Sequence, residues 1–245
     1  MARHDFRTPR VFLEADLQAD TVVSLSRDQA NYLQNVMRLS PGAEILVFNG
    51  RHGEWRAALE GAKRKAVLRL LRCERAQTAP GELACAFAPL KHARLDYTVQ
   101  KEVELGVASL TPVITQHTQV SRVNLERMRA NVIEAAEQCG VLAVPRVDEP
   151  TDFGHWLAGL DRDRVLVFCD EEAEISDPVE ALRRAPQGPL VVAIGPEGGF
   201  SDGERRAMLA RANTVRLSLG PRVLRADTAA VAALALVQAA RGDWR

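Results

Sequence analysis

Two short loops contain the residues whose side chains could do chemistry. Glu197 lies in residues 195–199, which read Gly-Pro-Glu-Gly-Gly, and Arg225 and Asp227 lie in a second loop at residues 218–229. A carboxylate can accept a proton from a substrate, and a guanidinium can stabilise the anion that remains. The first loop has an acid and no base, and neither loop has the glycine or lysine pattern of a phosphate site. The first loop therefore favours a ligand without phosphates, or one with a positive centre.

A strand before the first loop and a helix after it position that loop. Residues 190–194 are five apolar residues rich in β-branched side chains, which predicts a strand buried on both faces. Ser201 and Glu204 have the spacing of a capping box at the start of a helix. Gly198 and Gly199 leave the backbone free of side chains, so a ligand can lie against it. A parallel α/β sheet binds ligands at such a strand end, and the alternative is a turn with a structural role.

The second loop also leaves a strand and enters a helix. Residues 220–221 (Gly-Pro) end the strand, and Asp227 or Thr228 is expected to cap the final helix. That helix is almost wholly apolar, so its start is expected to lie deep in the protein or at an interface. Arg222 and Arg225 are therefore expected to have partners, with two solvated arginines as the alternative.

The composition is that of a soluble globular protein. The chain has 245 residues, of which 47% are hydrophobic and 26% are charged, and its formal net charge is zero. Four scattered cysteines have neither C-x-x-C nor zinc-ligand spacing, which indicates reduced thiols in a cytoplasmic protein. The longest apolar run, residues 229–237, is too short to span a membrane, and the first residues lack the apolar core of a signal peptide.

The charge is distributed unevenly along the chain. Residues 1–73 hold 12 Lys and Arg against 8 Asp and Glu, a net charge of +4, and the remainder holds 20 against 24, a net charge of −4. A basic front half favours contact with an anionic macromolecule, and the alternative is an ordinary solvated surface.

Residues 1 to about 73 are predicted to form a small β-barrel with one helix. Short strands are predicted at 22–25, 45–48, 54–59 and 65–71. Turns are expected at Pro41-Gly42 and at Asn49-Gly50. The helix, capped by Ser26, carries Ala30, Leu33, Val36 and Met37 on one side.

The chain after a linker at residues 75–82 alternates strands and helices, which predicts a largely parallel sheet covered by helices. Strands are predicted at 83–89, 110–114, 165–169, 190–194 and 215–219. Helices are predicted at 91–105, 124–139, from Thr151, at 178–184, from Ser201 and at 228–241. In the helix at 91–105, Arg94, Thr98 and Lys101 fall near one face, which is either an RNA-binding surface or a solvated one.

Taken together, these stretches resemble the bacterial 16S ribosomal RNA uridine-N3 methyltransferases of the SPOUT class. The resemblance covers nearly the whole chain and is carried most specifically by residues 194–199 and 219–225. It implies an α/β catalytic domain with a C-terminal trefoil knot at residues 82–245, and a PUA-like β-barrel that binds RNA at residues 1–74. Three positions depart from the family pattern: His117 and Val141 stand where arginines are expected, and Asp227 stands where glutamate is usual.

The resemblance implies S-adenosylmethionine as the cofactor, which agrees with a first loop that favours a positive centre. The expected cofactor contacts are Ile194, Gly195, Glu197, Gly198, Gly199, Leu219, Gly220, Leu224, Thr228 and Ala229. The expected RNA contacts are Arg10, Arg38, Lys63, Arg64, Lys65, Lys91, Arg94, Lys101 and Arg222. The expected catalytic residues are Glu197 or Asp227 as the base that removes the uracil N3 proton, and Arg225 as the cation beside the resulting anion. No metal is required.

The substrate is expected to be 16S ribosomal RNA in the small ribosomal subunit, and the enzyme is expected to be a homodimer. A symmetric partner would cover the apolar final helix, whose Leu234 is the expected probe of that interface. Three alternatives stay open: an RNA-binding module with a degenerate knot, an α/β enzyme with another nucleotide cofactor, and methylation of a ribose 2′-hydroxyl.

Overall fold

The computed structural model describes residues 5, 7–61, 65–120, 122–174 and 177–244. They divide into two compact units. The first unit contains the chain up to Ala79 together with Ala136–Val144, and the second contains Pro80–Ala135 and Pro145 onwards. The functional division at residues 1–74 and 82–245 stays a prediction. Among the described residues, no helix is both long enough and apolar enough to cross a membrane.

The first unit is built on a five-stranded sheet, in agreement with the predicted small β domain. Its strands are β1 (Arg10–Phe12), β2 (Val22–Ser24), β3 (Glu44–Phe48), β4 (Glu54–Glu60) and β5 (Val67–Arg75). They lie in the order β1-β3-β4-β5-β2, and β1, which the sequence did not predict, pairs parallel with β3. Ile45, Leu59, Leu68 and Leu70 are fully buried and form the core of this unit.

The helix of the first unit changes type along its length. Helix α1 (Arg27–Asn31) continues directly into a π-helix at Tyr32–Val36. Leu33 is fully buried as predicted, but Val36 and Met37 are 62% and 38% exposed. The prediction that these residues share one side was therefore wrong. A π-helix closes its hydrogen bonds from i to i+5, so the residues after Leu33 turn away from the face on which it lies.

The second unit is a mixed α/β structure on a parallel sheet, as predicted. Its strands are β6 (Leu83–Phe87), β7 (Ser109–Ile114), β8 (Arg146–Val147), β9 (Thr151–Asp152), β10 (Val165–Cys169), β11 (Leu190–Ile194) and β12 (Thr214–Leu217). They lie in the order β12-β10-β11-β6-β7-β8, with β9 paired to β7, and every pairing is parallel. Its helices are α2 (His92–Glu104), α3 (Leu125–Cys139), α4 (Phe153–Gly159), α5 (Pro178–Arg184), α6 (Asp202–Leu209) and α7 (Ala226–Arg241).

The central strand β11 lies between β10 and β6 and is buried along its whole length. Strands β12, β10 and β11 are neighbours that point the same way, so the loops that follow them meet at one edge of the sheet. One local prediction was wrong: Thr151 belongs to β9, and helix α4 begins at Phe153 with Asp152 as its cap. The trefoil knot stays a prediction, since strand order alone does not define how a chain threads.

Candidate functional site

The loops that follow β10, β11 and β12 enclose a cleft of about 400 Å³. Most of the predicted cofactor contacts line it. These are Ile194, Gly195, Glu197, Gly199, Leu219, Gly220, Leu224 and Ala229. Gly198 and Thr228 are not part of the lining. Gly199 and Gly220 have φ angles of +70° and +98°, a backbone conformation that favours glycine.

The third side of the cleft, residues 170–173 after β10, was missed by the sequence analysis. Asp170 is 3% exposed and accepts hydrogen bonds from Arg205 Nη2 at 3.0 Å and from Arg216 Nε at 2.8 Å. Burial alone would raise the pKa of Asp170, but hydrogen bonds from Arg205, the Glu172 backbone and Arg216 hold it below its ordinary value. The run of three carboxylates directly after a predicted strand was the signal that could have found this side.

The cleft is acidic, and its lining suits a cation better than a phosphate. Its carboxylates are Asp170, Glu171, Glu172, Glu197 and Asp202, against the two arginines Arg205 and Arg222. Arg205 already donates to Asp170 and lies 3.0 Å from Glu172. Apolar side chains of Phe168, Ile194, Leu219 and Leu224 line the same space. A ligand with a positive centre and a flat apolar ring system therefore matches both the charge and the lining.

His117, in the loop after β7, explains why residue 198 is a glycine. A Cβ atom on Gly198 would lie 3.2 Å from the Cβ of His117. The His117 Nδ1 lies 3.1 Å from the carbonyl oxygens of both Gly198 and Gly199. Both oxygens can only accept, so Nδ1 must carry the hydrogen. The bare backbone at Gly198 therefore makes room for a neighbouring loop, whereas we had expected a ligand there.

The capping box of α6 is confirmed, and it also holds the loop after β7. Ser201 Oγ accepts from the Glu204 backbone, while Glu204 Oε2 accepts from the Ser201 backbone at 2.8 Å. The other oxygen of Glu204 accepts from the backbone N–H of Gln116 at 2.8 Å. One carboxylate thus connects the glycine loop to the loop that carries His117.

The structure separates the two candidate bases. Glu197 lines the cleft, and one of its oxygens lies 3.7 Å from Nη1 of Arg94. Asp227 is not part of the lining, and its Oδ1 accepts from the backbone N–H of Thr228 at 2.8 Å. Arg94, which we had predicted as an RNA contact, is therefore the cation nearest to Glu197 among the ion pairs of the described residues.

The start of α7 differs from the sequence prediction. Its cap is Arg225, which makes no capping hydrogen bond through its side chain, so the prediction that Asp227 or Thr228 caps the helix was wrong. Arg222 and Arg225 are both exposed. Neither guanidinium group has a hydrogen bond or ion pair within the described part of the chain, and the expected partners of the two arginines stay a prediction. Arg222 lines the cleft, so its guanidinium group is available to a ligand there.

Arg10 cannot serve as the phosphate contact that we predicted. It is 7% exposed, its Nε lies 2.5 Å from Oε1 of the buried Glu54, and its Nη1 donates to the Glu137 carbonyl at 3.0 Å. Arg75 Nε lies 2.7 Å from the other oxygen of Glu54. These contacts make Arg10 part of a buried ion-pair network within the first unit.

The other predicted RNA contacts are mostly exposed. Arg38, Lys65, Lys91 and Arg222 lie on the surface. Lys63 and Arg64 lie outside the described residues. Lys101 lies 2.5 Å from Glu104 and 5.5 Å from the centre of the Tyr97 ring. Thr98 is 2% exposed and donates to the Arg94 carbonyl, so it does not share an exposed face with Arg94 and Lys101 as predicted.

Family models match both parts of the chain. An RNA methyltransferase domain matches residues 77–238, and an RNA methyltransferase PUA domain matches residues 25–71. The ribosomal RNA small subunit methyltransferase E of Synechocystis is 31% identical, over 90% of this chain and 74% of its own length. That of Rickettsia conorii is 28% identical over 94% of both chains.

A solved structure of the same kind of protein has the same fold. The ribosomal RNA small subunit methyltransferase E of Neisseria gonorrhoeae, bound to S-adenosyl methionine, superposes with a TM-score of 0.86 at 28% identity. The superposition covers 98% of this chain and 100% of the other. With its methyltransferase and PUA domains both matched, the chain belongs to the RNA methyltransferase family.

Proposed function

We propose that this chain transfers the methyl group of S-adenosylmethionine to N3 of a uridine in 16S ribosomal RNA. The observation that carries the proposal is the acidic cleft formed by the loops after β10, β11 and β12. Its carboxylates oppose phosphates and favour a sulfonium. The proposal also draws on family membership, since relatives of this chain act on small subunit ribosomal RNA.

The cofactor would lie between two glycine-containing loops. The apolar side chains of Leu219 and Leu224 suit an adenine ring, and the backbone at Gly195 and Gly199 leaves room for the rest of the molecule. When bound, the group supplies a methyl carbon on a positively charged sulfur. The carboxylates of residues 170–172 supply the negative field that a sulfonium requires.

Glu197 is the proposed proton acceptor. Uracil N3 becomes nucleophilic only after it loses its proton. A carboxylate must therefore lie beside N3 when the uracil ring is aligned with the methyl carbon. Glu197 lines the cleft and is about 40% exposed, so a substrate can reach it. Arg94, 3.7 Å from Glu197, and the exposed Arg225 at the start of α7 are the cations that would stabilise the uracil anion.

The test is to identify the methylated nucleoside. Small ribosomal subunits from cells that lack the enzyme would be incubated with the purified chain and methyl-labelled S-adenosylmethionine, and the RNA digested to nucleosides. We expect 3-methyluridine as the labelled product. A 2′-O-methylated nucleoside would replace this proposal by ribose methylation, and tight RNA binding without any transfer would replace it by an RNA-binding module. A comparison with protein-free 16S RNA tests the further proposal that the assembled subunit, in the cytoplasm, is the substrate.

A homodimer formed through α7 is part of the same proposal. One side of this helix is packed within the chain, including Leu234, which is fully buried. The opposite side carries Ala232, Ala235, Leu236 and Ala239, which keep partial exposure. A second copy packed there would cover the apolar surface that one chain leaves open.

The buried position of Leu234 makes it a poor probe of the interface, because a charge there would disrupt folding of the chain itself. Leu236→Glu is the better change, with Ala158→Glu, at an exposed position of α4, as a control for added charge. Sedimentation over a wide dilution range should show a wild-type dimer and a Leu236→Glu monomer. A wild-type chain that stays monomeric at micromolar concentration with full activity would refute the dimer.

A further inference from the structure

The first unit has an apolar patch that an ordinary α-helix would have partly buried. Tyr32, Val36 and Met37 are 38%, 62% and 38% exposed. In an α-helix, Met37 would lie on the same face as the fully buried Leu33. In the observed π-helix the backbone N–H of Met37 donates to the Tyr32 carbonyl at 2.9 Å, so Met37 lies one helical turn from Tyr32 rather than from Leu33. We call Tyr32, Val36 and Met37 the Tyr32 platform.

The backbone that forms this platform is costly. Short π-helical segments are rare and occur frequently at functional sites. Arg38, two residues after the helix ends at Val36, has a φ angle of +55°, a conformation that residues other than glycine seldom adopt. Strain of this kind persists where the surrounding structure enforces it, and it is concentrated at sites of function. An exposed apolar surface, a π-helix and a strained arginine therefore all occur within the seven residues from Tyr32 to Arg38.

The side chains around the Tyr32 platform are mainly cations and amides. Arg27, Arg38 and Lys65 are exposed and have no ion pair within the described residues. The acids on the same segments are Asp28 on α1 and Glu60 at the end of β4, and Glu60 is paired with Arg69. The Gln34 side-chain amide lies 3.5 Å from the Gly61 carbonyl, and the backbone carbonyl of Lys65 lies against Gly61. Asn31 and Asn35, hydrogen-bonded at 2.7 Å, are exposed on the same helix.

We propose that the Tyr32 platform stacks an unpaired base of the RNA substrate, while Arg38 and Lys65 contact the flanking phosphates. The proposal rests on the proposed function, because it assigns part of that RNA to this surface. An aromatic ring accepts the flat face of any unstacked base, and neighbouring cations neutralise the phosphates on either side. The mainly basic rim complements the phosphate backbone, which supplies a large share of the affinity of a nucleic-acid contact.

Direct RNA binding tests the proposal. The probe is a fluorescently labelled single-stranded RNA of about 12 nucleotides, compared with a duplex of the same length. Tyr32→Ala should weaken binding of the single strand by roughly tenfold or more, since base stacking on an aromatic ring contributes strongly. Tyr32→Phe should retain the affinity, and both variants should bind the duplex as the wild type does.

Two further variants separate stacking from charge. Val22→Ala, which removes an apolar side chain 46% exposed elsewhere in the same unit, is the matched control and should change nothing. Arg38→Gly keeps the positive φ angle without strain and removes one cation, so the salt dependence of RNA binding should fall by about one unit.

Three outcomes would overturn the proposal. Single-strand affinity unchanged in Tyr32→Ala would exclude stacking, and an equal loss for duplex RNA would indicate general electrostatics. A Tyr32→Ala variant that dissociates the dimer in sedimentation would make this patch an interface between copies. Cofactor binding and methyl transfer are measured separately, so a failure of the proposed function would be seen independently of RNA binding.

Discussion

His117 Nδ1 lies 3.1 Å from the carbonyl oxygen of Gly198, and the same nitrogen lies 3.1 Å from that of Gly199. The hydrogen-bonding pattern fixes the tautomer, because a nitrogen between two carbonyls must donate. The glycine loop after β11 is therefore held from outside the cleft by a side chain from the loop after β7. Its inner face, at Gly195 and Gly199, lines the cleft.

Replacing His117 should weaken cofactor binding without altering the chemical step. His117→Leu removes the donor to both carbonyls, so we expect the Kd for S-adenosylmethionine to rise by roughly 3- to 10-fold, the effect of one lost hydrogen bond. His117→Asn keeps a donor near the same position and should restore part of the affinity. Calorimetry gives the Kd, and ¹⁵N NMR of the wild-type imidazole should show hydrogen on Nδ1. An unchanged Kd in His117→Leu would show that the loop is held by its backbone alone.

Glu197 and Asp227 should differ sharply in their effect on turnover. Glu197→Gln keeps the size of the side chain and removes the proton acceptor, so we expect kcat to fall by roughly 10²- to 10⁴-fold. Cofactor affinity should stay within a few fold of the wild type. Asp227→Asn is the matched control and should lower kcat much less, since Asp227 lies outside the cleft lining. The reverse order of the two effects would assign the base to Asp227.

The buried Glu102 should make stability fall as pH rises. Glu102 is fully buried in α2, and neither of its oxygens has a hydrogen-bond partner among the described residues. Burial raises its pKa to about 8 in the folded chain, and the neighbouring thiol of Cys85 has a smaller opposing effect. The unfolded chain binds fewer protons than the folded chain between the two pKa values, so the free energy of unfolding falls across that range and levels off above it.

The free energy of unfolding is expected to fall by about 2 to 3 kcal/mol between pH 5 and pH 7. Glu102→Gln should remove most of this slope, whereas Glu104→Gln, on the exposed side of the same helix, should leave it in place. Urea unfolding at several pH values measures both. An equal slope in wild type and Glu102→Gln would mean that Glu102 is ionised in the folded chain.

Breaking the Arg10–Glu54 pair should destabilise the first unit. Both side chains are 4% exposed, so Glu54→Gln would leave the Arg10 charge buried with only part of its compensation. We expect a loss of about 3 to 5 kcal/mol, the usual effect of removing one partner from a buried pair. Glu60→Gln, in the exposed pair with Arg69, is the control and should leave the free energy of unfolding almost unchanged. If the wild type and Glu54→Gln have equal midpoints in thermal unfolding, Arg10 finds other acceptors.

The sequence predicted those parts of the site that depend on local pattern. Residues 190–194 and the Ser201–Glu204 capping box were located correctly, because a buried strand and a helix start are encoded by neighbouring residues. Asp170 and His117 were not found, since their roles depend on which strands become neighbours in the sheet. The position of β10 beside β11 brings Asp170 to the cleft, and that order cannot be obtained from periodicity.

Errors in the first unit have a similar cause. Arg10 was expected on the surface because arginines usually are, and only the fold reveals Glu54 opposite it. Val36 and Met37 have the spacing of a buried helix face, but a switch to π-helical hydrogen bonding turns them outward. A change from α-helical to π-helical hydrogen bonds cannot be detected by a pattern that assumes a fixed period.

The strand order has a consequence for how the protein is made. The ribosome synthesises β10 before β11, yet β11 lies between β10 and β6 in the finished sheet. Until residues 190–194 emerge, β6 and β10 each present an unpaired edge to the cell, and such edges are where nascent chains associate wrongly. If synthesis stalls between residues 170 and 190, a chaperone or the ribosome surface would therefore have to keep the edges of β6 and β10 from pairing with other chains until β11 is made.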